Sequence, residues 1–81
     1  MIVVRLPSPS PAGHKLDGLT RRENEIAALV SEGLSNKQIA ARMRIALATV
    51  KEHVHHVLTK TGLSNRAALA VAYRYAAAFE R

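Results

Sequence analysis

The chain has 81 residues, enough for one small domain with a modest core. It contains no cysteine, which excludes disulfides and a cysteine zinc site; an intracellular setting fits. Twelve Lys/Arg against six Asp/Glu give a formal charge of +6. That balance favours a polyanionic partner, nucleic acid first and an anionic membrane surface second. The three aromatics, Tyr73, Tyr75 and Phe79, are poor equipment for stacking unpaired bases, so duplex is favoured over single strands.

The opening MIVV is interrupted by Arg5 and Pro7 and is too short for a signal peptide or a membrane span. Met1 to Leu6 has strand composition but no partner strand in the sequence. Pro7, Pro9 and Pro11 alternate with Ser8 and Ser10; each proline fixes φ and removes a donor. Residues 1–15 therefore read as an extended tail or linker, and residues 16–81 as the folded unit.

The first helix should begin at Thr20. Thr20 and Glu23 have capping-box spacing, in which two orphaned backbone donors are satisfied reciprocally. Ile26, Leu29 and Val30 supply a buried stripe, and Gly33 suits a left-handed stop. Ser35 and Gln38 form a second capping box, with Leu34 and Ile39 in the staple positions around it. The second helix spans about Asn36 to Met43, with Ile39, Ala40 and Met43 inward. Arg44, Ile45 and Ala46 form a turn without the usual glycine, and Ala46 cannot cap with a side-chain oxygen.

Ala46 to Thr61, ALATVKEHVHHVLTKT, organises the chain. At about 100° per residue, Leu47, Val50, Val54, Val57, Leu58 and Thr61 fall on one side. Ala48, Glu52, His55, His56 and Thr59 fall on the other. Lys51 lies on one flank, with Thr49, His53 and Lys60 on the opposite flank. The face is polar but lacks the Glu/Lys pairs four apart of an ordinary solvated helix. A short helix, a three-residue turn and this longer helix match a helix-turn-helix whose second helix enters the major groove of DNA.

Gly62 should end that helix, and Ser64 or Asn65 should cap a fourth from Arg66 to about Phe79. Ala68, Leu69, Ala72, Tyr73 and Ala76 line one side; Ala67, Val71, Arg74, Tyr75 and Ala78 line the opposite one. A helix apolar nearly all round needs burial on more than one face. Alanines also favour helix and tolerate exposure, but Val71 and Tyr75 favour a homodimer interface.

The stretches LTRRENEIAALVSEGLSNKQIAARMRI and TVKEHVHHVLTKTGLSNRAALA, covering Leu19 to Ala70, resemble a LuxR-type DNA-binding domain of the GerE/NarL/FixJ group. The resemblance implies an all-α four-helix bundle with a helix-turn-helix in helices two and three. It also implies dimerisation through helix four and binding of double-stranded DNA as a transcription regulator. Ala46 departs from the family's common capping Ser, and no receiver or ligand-sensing domain precedes the motif, so a stand-alone regulator and a fragment of a longer one both stay open.

On the third helix, Lys51 can reach the guanine acceptors O6 and N7, and Glu52 can accept from a cytosine amine. By resemblance, Lys51, Glu52 and His55 occupy positions where related regulators read bases. Candidate backbone contacts are Thr49, His53 and Lys60 on that helix, Arg66 beyond it, Asn36 and Lys37 at the start of the second helix, and Thr20, Arg21 and Arg22 at the start of the first. His53, His55 and His56 crowd one helix, but no H-E-x-x-H pair is present, so neither metal nor cofactor is expected. RNA polymerase is a candidate further partner, and the expected location is cytoplasmic, in the nucleoid-associated pool.

Two other readings remain. A sigma-factor promoter-recognition region shares LTRRE and TVK but fits KTGLSNRAALA less well. A protein-interaction module could inhibit another regulator through the apolar fourth helix. An enzyme is the weakest reading, since no nucleophile–base pair or phosphate loop has usable spacing.

Overall fold

The computed structural model describes residue 16 and residues 18–79, so the tail expected over residues 1–15 lies outside the described residues. Four helices follow in order: α1 (Arg21–Ser31), α2 (Asn36–Met43), α3 (Leu47–Thr61) and α4 (Arg66–Phe79). No strand occurs among the described residues. The molecule is all-α, as expected.

Local chemistry sets each boundary. Thr20 caps α1 with both halves of its box formed: the Glu23 N–H donates to Thr20 Oγ1 at 3.1 Å, and the Thr20 N–H donates to Glu23 Oε1 at 2.9 Å. The helix stops where Gly33 takes φ 92°. There the Gly33 N–H reaches Val30 O and the Leu34 N–H reaches Leu29 O, the paired bonds of a Schellman ending. Ser35 and Gln38 build the same reciprocal box at α2.

The α2–α3 turn is made without glycine. Arg44 itself adopts φ 59° and ψ 47°, costing roughly 1 kcal/mol for a residue with a Cβ. The Ile45 N–H bonds Ala40 O across this turn, and the half-buried Ile45 packs on the core. Packing thus holds a backbone shape that propensity disfavours. Ala46 precedes α3 with no side-chain cap, as its methyl requires. Asn65 rather than Ser64 bonds the first turn of α4, accepting from the Ala68 N–H at 2.8 Å.

The core joins all four helices. Ile26, Ala27 and Val30 of α1 meet Ile39 of α2, Val50, Val54 and Val57 of α3, and Leu69 of α4. α1 is the platform: α4 and α3 both pack along it, and α2 packs on α3. The stripe on α1 differs from the expected one. Ala27 is fully buried, whereas Leu29 is only half-buried.

Glu23 is also buried, at 5% exposure. It lies three and seven residues before Ile26 and Val30, so helical spacing carries it onto the buried face. Its Oε1 accepts from Lys60 Nζ at 2.7 Å, tying the start of α1 to the end of α3. That ammonium, followed by the Thr20 N–H, holds the Glu23 carboxyl below the usual carboxylate range; burial pushes the other way and is outweighed. Thr61, the other buried polar residue, donates from Oγ1 to Val57 O at 2.8 Å.

Two outcomes follow for stability. Val54→Asp places an unpaired carboxylate in the core at a cost of several kcal/mol; far-ultraviolet circular dichroism should show loss of the cooperative melt. Because folding lowers the Glu23 pKa, its contribution is present above the unfolded carboxylate value and fades as pH falls through the folded one. Glu23→Gln should therefore cost about 1–3 kcal/mol near neutral pH. In denaturant titrations at stepped pH, the gap to wild type should narrow below about pH 4.

Candidate nucleic-acid interface

The outward face of α3 follows from what its other face buries. With Val50, Val54 and Val57 in the core, residues on the opposite side cannot reach the bundle. Lys51, Glu52, His55, His56 and Thr59 are all exposed, and Thr49 and His53 are half-buried at the flank. Lys51 and Glu52 make no ion pair among the described residues. His55 and His56 stand side by side, with ring centroids 5.9 Å apart and planes tilted by 53°. No group of three metal-ligating side chains forms among the described residues. The face therefore offers one cation, one carboxylate and two imidazoles to an external partner.

Around it, the expected backbone-contact residues separate into two sets. Arg21 and Lys37 are exposed. Arg22 is exposed too, and its nearest acid is Glu25 at 3.7 Å, a surface pairing of little energetic weight. The Thr20 hydroxyl is committed as an acceptor to the cap, but its proton can still be donated outward. The capping box of α2 uses the Ser35 and Gln38 N–H groups, leaving those of Asn36 and Lys37 at a positive helix end.

The second set is drawn inward. Lys60 was expected to flank the phosphates, yet its ammonium bonds the buried Glu23, whose carboxylate would otherwise be unpaired. Arg66, also expected there, is half-buried and forks between two acceptors. It donates from Nη1 to Asn36 Oδ1 at 2.5 Å and from Nη2 to Leu34 O at 2.7 Å. Asn36 thereby has its side-chain oxygen engaged by Arg66. Sequence spacing carried no sign of these ties, because the partners are 30 to 37 residues apart. The buried position of Glu23 was the one available clue.

On α4 the two faces divide as the sequence indicates. Leu69 and Ala72 are buried, whereas Ala67, Val71, Arg74, Tyr75 and Ala78 are exposed. Val71 at 59% and Tyr75 at 45% are the large apolar groups left outside among the described residues. Arg74 turns toward its own bundle, donating from Nη1 to Ser31 O at 3.0 Å. A cation at those last carbonyls complements the negative end of α1. Tyr73 donates from its hydroxyl to Asn24 Oδ1 at 3.2 Å, a further bond between α4 and α1. Among the described residues, no helix is long and apolar enough to cross a membrane.

Comparison with known proteins agrees with this architecture. Residues 17–73 match the family model for bacterial regulatory proteins of the luxR family. The chain is 41% identical over 70 residues to the DNA-binding transcriptional activator DevR/DosR of Mycobacterium tuberculosis, covering 86% of this chain and 32% of that one. It is 49% identical over 53 residues to the nitrate/nitrite response regulator protein NarL of Escherichia coli, covering 65% and 24%. It is 42% identical over 55 residues to the transcriptional regulatory protein LiaR of Bacillus subtilis, covering 68% and 26%. The chain thus spans about a quarter to a third of the length of these relatives. With its four helices, its helix-turn-helix and a family match over most of its length, the chain belongs to the luxR family of regulatory proteins.

Proposed function

We propose that the chain binds double-stranded DNA sequence-specifically as a transcription regulator, with α3 in the major groove and two copies joined through α4. The observation that carries the reading is the exposed set Lys51, Glu52 and His55 on a helix whose reverse side is locked into the core. Lys51 donates to guanine O6 and N7, Glu52 accepts from a cytosine amine, and His55, one turn beyond Lys51, completes the set. Thr20, Arg21, Arg22, Lys37, Thr49 and His53 supply phosphate contacts that fix register without reading sequence. Lys60 contributes by holding the end of α3 against Glu23. RNA polymerase is a further partner in this reading.

The dimer rests on Val71 and Tyr75, flanked by Ala67, Arg74 and Ala78 on the outward face of α4. A domain this small gains from covering apolar surface that its own core cannot reach. Two joined copies would read related half-sites about one helical turn apart.

Selection of bound duplexes from a random pool tests the reading directly and should return a motif with two related halves. On the recovered duplex, Lys51→Ala should cost about 1–3 kcal/mol, with a smaller loss on random DNA. An equal loss on both, with a salt slope reduced by about one, would instead mark Lys51 as a phosphate contact. Val71→Glu should yield monomers by analytical ultracentrifugation with helicity retained. Affinity for the two-half duplex should fall by about 100-fold or more, because the second contact is no longer intramolecular.

A further inference from the structure

The bundle connects its dimer-forming helix to its helix-turn-helix unevenly. α4 packs along α1 and touches α3, but it packs little against α2. Across that gap runs the Arg66 fork, from the first residue of α4 to Leu34 O in the loop and to Asn36 Oδ1 at the first residue of α2. The two acceptors lie on either side of the Ser35 cap, so the fork fixes both the loop and the first turn of α2. A planar guanidinium with parallel donors holds two acceptors in one orientation; an ammonium is a point charge and does not.

We propose that Arg66 is a positioning residue that sets the distance between half-sites which the dimer accepts. The inference rests on the proposed DNA-binding dimer. In such a dimer the two-fold axis runs beside α4, and each helix-turn-helix is carried outward from it. The offset and tilt of α3 relative to the axis decide which half-site spacing both copies can meet at once. α1 fixes that geometry from one side of the bundle, and the fork fixes it from the other. Releasing the fork lets α2, with α3 packed on it, shift against α4. Such a chain still folds and still attracts DNA, but it tolerates wrong spacings.

The test compares two duplexes in the same buffer. One is the duplex recovered from the random pool; the other carries about five extra base pairs between the halves, half a helical turn. The readout is the ratio of the two affinities, which a uniform loss of phosphate attraction leaves unchanged. Wild type should prefer the first by about 100-fold or more, since the shifted duplex presents its second half on the opposite side. Arg66→Lys keeps the charge and loses the fork, so its ratio should drop below about tenfold. Asn36→Leu removes one acceptor and should lower the ratio as well. Asn36→Asp keeps an acceptor for Arg66 and should hold the wild-type ratio, although its added charge weakens binding to both duplexes.

A wild-type ratio in Arg66→Lys, with equal losses on both duplexes, makes Arg66 a phosphate clamp and overturns the proposal. Should Arg66→Lys fail to fold by circular dichroism, equal ratios in Asn36→Leu and Asn36→Asp overturn it. No spacing preference in wild type would reject the dimer itself, and the positioning role with it.

Discussion

Burial of the valine face of α3 is the constraint on which the rest of the molecule depends. Val50, Val54 and Val57 recur three and four residues apart and close the core against Ile26, Val30 and Ile39. Each buried side chain of this size contributes about 1.5–3 kcal/mol of transfer free energy. These contacts fix the rotation of α3 about its own axis. Once that rotation is set, Lys51, Glu52 and His55 have only one direction to face. In the proposed complex the groove-reading surface is therefore a by-product of the core: a chain that packed α3 in another rotation would present valines to DNA and imidazoles to Ile26.

Rotation alone does not hold a helix end still, and the two ends of α3 are secured differently. At its start no side chain caps the backbone, and the turn relies on Ile45 packing and on Arg44 in a left-handed conformation. At its end, Lys60 reaches back to Glu23, whose other bond completes the cap of α1. One carboxylate oxygen thus joins the first helix to the last turn of the third. The pairing is partly buried, so salt screens it less than it would a pair on the open surface.

The positive charge of the chain is consequently not all available to a polyanion. Lys60, Arg66 and Arg74 donate to a carboxylate, an amide and backbone carbonyls within the bundle. Arg21, Lys37 and Lys51 remain exposed. Composition counts both groups alike, but the first stiffens the frame on which the second is displayed. This division suits a surface meant to recognise a fixed pattern, since contacts made by a rigid frame lose less entropy on binding.

The sequence by itself determined the features that depend on near neighbours. Both capping boxes, the glycine stop of α1 and the inward faces of α2 and α3 were legible, because each is written within a few residues and repeats with the helical period. The exposed polar face of α3 was legible for the same reason. Only the tertiary structure decided which polar side chains would find one another. Glu23 and Lys60 are 37 residues apart, and Arg66 is 30 from Asn36, so no local period links them. Arg44 likewise takes the glycine-like turn because the helices it connects are already packed, an outcome that propensity alone opposes.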